Sequence, residues 1–205
     1  MNSEYYISAF CNIKNNTISL NGSQVYSDDN NEFSDFIKAA YKFLDTKYPK
    51  FFKMDALSKL AFLAADVLLK SQNLNGDIEN DIAIVFSNKA SSLDTDRKHQ
   101  KSIDNQEDYY PSPAIFVYTL PNICIGEISI KYKLFSENSF FIFDNFNAQH
   151  LLDYSNSLLS AGKTEKVLCG WVDLDGDQYD AYLNLVTKTG TIKHNKENII
   201  KFYNT

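Results

Sequence analysis

The sequence predicts an α/β fold in which strands and helices alternate along the chain. Two observations carry that expectation. Three short apolar runs of the buried-strand kind stand well apart: Asp81–Ser87 (DIAIVFS), Ser139–Phe143 (SFFIF) and Lys166–Leu174 (KVLCGWVDL). Helical periodicity separates them. In MDALSKLAFLAADVLLK the residues Leu57, Leu60, Ala61, Ala64, Val67 and Leu68 share one face, and beyond Phe143 so do Ala148, Leu151, Leu152, Leu158 and Leu159. Such alternation implies a three-layer αβα sandwich on a mixed, mostly parallel sheet, here of about five strands. The 205 residues fit one domain spanning 1–205, with no repeat or linker to divide it. A chain of this length can bury roughly 70% of its unfolded surface.

In chain order, Glu4–Ile13 (EYYISAFCNI) reads as a strand, and a polar, Asn-rich stretch follows it to Asn31. Glu32–Leu44 has helical spacing, and the clearer helix of Met54–Lys70 comes next. Asn75-Gly76-Asp77 makes a turn into the first apolar strand. Asn88–Asp108 is a charged surface loop with room for a short helix. Pro111–Leu134 reads as a helical turn and then a longer helix begun near Pro121, since proline is at home in a first turn. After Ser139–Phe143 the next helix stops at Gly162, a residue suited to the left-handed C-terminal position. The turn Asp175-Gly176-Asp177 joins Lys166–Leu174 to an antiparallel return strand, Tyr179–Lys188.

Charge excludes some functions. With 26 acidic and 20 basic residues the net charge is −6, the wrong sign for a phosphate backbone or an anionic bilayer. Nucleic acid and membrane are therefore not expected partners. The uncharged run Tyr109–Gly126 has nearly the composition of a membrane span, but Pro111, Pro113, Pro121 and Asn122 interrupt it, so it reads as a buried segment. MNSEYYISAF lacks the features of a signal peptide, and three scattered cysteines suit a reducing compartment, so a cytoplasmic location is expected.

Chemistry-bearing residues are sparse. Cys11, Cys124 and Cys169 form no CxxC pair, and Cys124 and Cys169 lie in apolar surroundings where thiols are inert. His99 lies in the charged loop, His150 at a helix start and His194 in a polar tail. None is at metal-ligand spacing from another, and no metal is expected. Asp173, Asp175, Asp177 and Asp180 have the look of a calcium loop. Their glycine is misplaced and no glutamate follows at the twelfth position, so a solvated turn is the better reading. No Gly-rich phosphate loop is present, and no cofactor is expected. One local arrangement stands out: strand Ser139–Phe143, the corner Asp144-Asn145-Phe146-Asn147, then a helix. Such a corner often presents a nucleophile to the helix N-terminus, yet it holds no Ser, Cys or Thr. Asn145 or Asn147 capping the helix is the plain structural role.

Three stretches resemble the N-terminal half of the β-ketoacyl synthases, enzymes of the thiolase fold. KMDALSKLAFLAADVLL is similar to that family's R-M-S-x-x-x-x-L-A-x-x-A-A helix. SPAIFVYTLPNICIGEISIKYKLFSEN is similar to its S-P-x-x-F…N-x-x-x-G-x-I-S-I…G-P-N segment. LLSAGKTEKVLCGWVDL is similar to its helix end and following strand. Together they cover most of Lys53–Leu174. The departures are specific. Ser136-Glu137-Asn138 replaces Gly-Pro-Asn, and counting forward puts Asn145 where the family carries the cysteine that is acylated. A carboxamide cannot form a thioester. The family's second half, with two catalytic histidines and a lysine, would begin about where Thr205 stands.

The resemblance thus implies half of a thiolase-like fold with no catalytic residue: Asn145 is a vestigial nucleophile position, flanked by Asp144 and Phe146. It implies a noncatalytic subunit beside a full-length synthase and acyl carrier protein in fatty-acid, polyketide or aryl-polyene-like biosynthesis, as a homodimer or as a heterodimer with that synthase. Its interface would involve Phe140, Phe141, Ile142, Phe143, Tyr118 and Asn122, with strand Phe140–Phe143 central in the sheet. Two other readings stay open: a module that binds an acyl group or a carrier protein without reacting, and a free-standing enzyme using non-covalent chemistry at Asp144/Asn145.

Overall fold

The computed structural model describes residues 4–28, 32–105, 107 and 109–205. Eight strands form one mixed sheet: β1 (Tyr6–Lys14), β2 (Thr17–Leu20), β3 (Ser23–Ser27), β4 (Ile82–Asn88), β5 (Asn138–Ile142), β6 (Lys166–Asp175), β7 (Gln178–Thr187) and β8 (Ile192–Lys193). Their order across the sheet is β3-β2-β1-β7-β6-β4-β5, with β8 beside the start of β1. Parallel pairing is confined to β4 with its neighbours β5 and β6, and the other pairs are antiparallel. The sheet is therefore larger and less parallel than the periodicity predicts. Two N-terminal hairpins account for much of the difference. They turn on Asn15-Asn16 and Asn21-Gly22, all four residues at positive φ, as two-residue hairpin loops require.

Helices α1 (Phe33–Phe43), α2 (Ala56–Ser71), α3 (Leu93–Lys101), α4 (Pro113–Phe116), α5 (Ile123–Tyr132), α6 (Ala148–Ser160) and α7 (Lys196–Tyr203) complete the chain. Strand alternation sorts the core onto two faces. Ile82, Ile84 and Phe86 of β4, Leu168 and Leu174 of β6, and Leu183 and Leu185 of β7 meet α2 and α5. Ala83, Val85, Val167, Cys169 and Val186 point the other way, against Leu151, Leu158 and Leu159 of α6. That is the expected three-layer sandwich. In α2, buried residues extend beyond the predicted stripe to Phe62, Leu63, Ala65, Asp66 and Leu69. The helix is enclosed between the sheet and its neighbours α1 and α5, so it is apolar nearly all round.

Two positions depend on glycine. Gly162 takes φ +66° just after α6, the left-handed conformation that ends the helix. Gly170 in β6 is a matter of space: a Cβ there would lie 1.9 Å from the Tyr182 carbonyl oxygen and 2.9 Å from Leu183 Cα. Gly170→Ala is accordingly expected to cost about 3 kcal/mol through forced displacement of β7. Urea unfolding checks this, and a midpoint equal to wild type would show that the two strands have slack between them.

Strand β5 lies at the edge of the sheet, not centrally as predicted, with β4 between it and β6. His194, read as part of a polar tail, is buried: its N–H donates to the Tyr5 carbonyl and its ring packs beneath α6 beside Asn156. Among the described residues no single helix is long and apolar enough to cross a membrane. The uncharged run is divided, with the axes of its two helical pieces, Pro113–Thr119 and Ile123–Tyr132, at 97°.

Candidate functional site

The corner is built from both ends. The Phe143 N–H donates to the Asn88 carbonyl (2.9 Å), fixing the end of β5 against β4. Four residues on, the Asn147 side-chain oxygen accepts the His150 N–H (3.0 Å) and caps α6. Of the two capping candidates it is Asn147 that performs the role. Asn147→Ala should remove about 1 kcal/mol of stability, readable as a lowered melting temperature; no change would mean that water replaces the cap at no cost. Between these anchors Asp144 and Asn145 are exposed, while Phe146 turns inward. Its ring stacks on Tyr203 (3.9 Å between centroids) and meets Trp171 and Tyr182 edge-on. Behind it the Ala148/Leu151 face of α6 is buried as predicted, with Leu152 partly covered.

His150 is the one basic side chain in the first turn of α6. It lies in an aromatic nest of Phe141 (4.3 Å), Phe143 (4.8 Å) and Tyr154 (5.6 Å). Burial lowers its pKa, against a weaker opposing pull from Asp153. No nucleophile stands within the corner. All three thiols are fully buried, and burial pushes them up, Cys169 to about 12 and Cys11 and Cys124 further. Cys169 donates to the Asn184 side-chain oxygen inside the core. A thiol held protonated and away from solvent does not attack a thioester. Among the described residues no three His, Cys, Asp or Glu side chains are placed to hold a metal ion. The aspartate hairpin is structural: Asp173 accepts the N–H groups of Lys89 and Ala90 in the loop before α3, and Asp175 pairs with Arg97 of α3 itself.

The second element of the site is the sheet edge. Phe143 N–H and the Glu137 carbonyl, which accepts from Ile84 N–H, both face β4. By the two-residue alternation of a strand, Asn138, Phe140 and Ile142 then present their N–H and C=O groups outward. Ile142 is 49% exposed, while Phe140, Phe141 and Phe143 are half-buried. The segment before α5 adds apolar surface at Tyr109, Tyr110, Phe116, Val117 and Leu120. Of the other two interface candidates, Asn122 is exposed, but its side chain makes no capping bond to α5. Tyr118 lies beneath the surface. Its hydroxyl donates to Glu127, a buried carboxylate that also holds Lys50 (2.8 Å) and Tyr48 (3.0 Å). Burial first, and then the Glu127 charge and hydrogen bond, push the Tyr48 hydroxyl up to about 12. The contribution of α7 to the corner, through Tyr203, is absent from the sequence reading. Its signal was Asn195 as a cap followed by Ile199, Phe202 and Tyr203 at helical spacing.

No family model and no curated protein matches the chain. Solved structures do. One described as the ishigamide ketosynthase/chain length factor aligns with TM-score 0.64 at 15% identity, over 90% of this chain and 62% of that one. A complex of the ketosynthase ApeO with its chain length factor ApeC from Xenorhabdus doucetiae aligns with TM-score 0.63 at 15% identity, over 98% of this chain and 90% of the matched chain. A β-ketoacyl synthase from Burkholderia phymatum aligns with TM-score 0.62 at 11% identity, over 91% of this chain but 59% of that one. The fold is thus the one found in ketosynthase and chain length factor structures, the thiolase-like architecture. The chain spans about three-fifths of the first and third of these neighbours and nine-tenths of the second.

Proposed function

We propose that the chain is a ketosynthase-like subunit without condensing activity of its own, a single cytoplasmic domain over residues 1–205. On this reading it acts beside a full-length β-ketoacyl synthase in fatty-acid, polyketide or aryl-polyene-like biosynthesis. The observation that carries the reading is the pairing of an intact corner with an empty nucleophile position. Asn145 stands exposed between an anchored strand and a capped helix, and every thiol in the chain is locked in the core. The likeness to a chain of similar extent in a ketosynthase–chain length factor complex supports a partner role. So does the open β5 edge, where Phe140 and Ile142 offer backbone groups, and Phe140, Phe141, Ile142 and Phe143 apolar surface, to a second strand in a heterodimer or a homodimer. Tyr118 and Asn122 are taken as further interface residues, and an acyl carrier protein would be met through the assembled pair. The burial of every thiol favours this over an enzyme that works through an acylated cysteine.

Incubation with acyl-carrier thioesters followed by intact-mass spectrometry is expected to give no adduct, and Asn145→Cys alone is expected to give no condensation. A stoichiometric thioester, or condensation by that variant on its own, would overturn the reading. Light scattering at micromolar concentration, with and without a full-length synthase encoded nearby, tests the partner role. A chain that stays monomeric in both cases would leave the acyl-binding module in its place.

A further inference from the structure

Helix α7 has eight residues, of which only Ile199 is fully buried, and a helix this short does not persist in water by itself. Its fastenings gather at its last turn. Phe202 stacks on Phe10 of β1 with centroids 4.2 Å apart and planes 9° from parallel. The Phe202 carbonyl accepts from Asn12 Nδ2 (2.9 Å). The Lys14 ammonium donates to the Tyr203 carbonyl and sits 4.2 Å from the centre of its ring, and the Tyr203 hydroxyl donates to Asp180. The face of that ring not used by these contacts lies on Phe146, the residue after Asn145. These side chains form an apolar cluster of their own with Ile7, Ala148 and Tyr182, separate from the clusters under α2 and under most of α6.

We infer that α7 is a strap that opens by local unfolding while the sheet stays intact, and that its closure sets the position of the Asp144–Asn147 corner. Opening breaks a compact set of contacts at Ile199, Phe202 and Tyr203, uncovers the part of α6 that α7 packs on, and leaves the β1–β7 ladder untouched. It takes from Phe146 its stacked partner, so the corner loses its ring contact with α7. Trp171, the single tryptophan, lies edge-on to Phe146 at 6.1 Å and reports the change. The inference goes beyond the partner role and is tested on the isolated chain, so the two can fail separately.

Hydrogen exchange read by mass spectrometry on the wild-type chain is expected to show the amides of 199–204 exchanging about 100-fold faster than those of β1 and β7. Equal protection of the two sets would mean that α7 leaves only with global unfolding, and would overturn the strap. In Tyr203→Leu, which keeps apolar bulk but loses the stacked ring and the hydroxyl, exchange over 144–151 should rise about 10-fold and Trp171 emission should shift, with β4 and β6 unchanged. An unchanged corner in that variant would overturn the positioning role even if α7 opens.

Discussion

An Ile142→Pro chain is expected to fold with near wild-type stability and to lose at least about 100-fold in affinity for whatever pairs with β5, some 2.7 kcal/mol. The reasoning is stereochemical. Proline is tolerated in an edge strand only where its missing N–H would have pointed out of the sheet. The bonds of Glu137 and Phe143 to β4 place residue 142 in that class, and its half-exposed side chain has little packing to lose. A strand docking on this edge would meet a ring where it needs a donor. Phe141→Pro makes the contrast: its N–H faces β4, so that substitution should weaken the fold itself. Sedimentation velocity across micromolar concentrations, beside urea unfolding, separates the two. Association of Ile142→Pro at wild-type strength would move the pairing surface away from β5.

Stability is expected to fall by about 3 kcal/mol between pH 6.5 and pH 4, with His194 as the cause. Burial lowers its pKa to about 4, because the imidazole is enclosed with Asn156 Oδ1 at 3.0 Å on Nδ1 and with no hydrogen-bond partner on Nε2 among the described residues. The sign follows from the direction of the shift. Above pH 6.5 the histidine is neutral in both states and contributes no pH dependence. Below it the unfolded chain takes up a proton that the folded chain refuses, so stability declines until the folded pKa is reached and is level beneath it. His194→Gln removes that slope. Urea midpoints at pH 7, 5.5 and 4 for both chains check this, and parallel profiles would show that other groups carry the acid sensitivity.

These expectations rest on features of unequal visibility in the sequence. The helices α2 and α6 and the strands β4, β5, β6 and β7 are legible because each carries its own period: a stripe at 3.6 residues, or a short apolar run with punctuation on both sides. The Asn-rich stretch after β1 reads by composition only as polar, yet it carries a signal for the hairpins it forms. Asn21-Gly22 is a strong two-residue hairpin signal, and β2 and β3 are short and polar on one face. The lack of Ser, Cys and Thr in the corner 144–147, the capped helix and the core cysteines were likewise present in residue type and spacing.

Position relative to distant segments was not. That β5 is an edge strand depends on which strands the chain brings beside it, and an apolar pentapeptide reads alike at an edge or in a centre. The burial of His194, the hold of Lys50 and Tyr48 on Glu127, and the stacking of Tyr203 on Phe146 join residues 38 to 79 positions apart. Local periodicity cannot report such pairs, because they form only once the sheet has set its order. The sequence by itself determined the alternation of elements, their buried faces and the absence of a nucleophile at the corner, all of which are properties of residues within a turn or a strand of one another. The tertiary structure alone decided which strands lie at the sheet edges, what holds the corner from behind and which histidine is kept from water, since each of these is an energy of contact between parts of the chain that the order of residues leaves far apart.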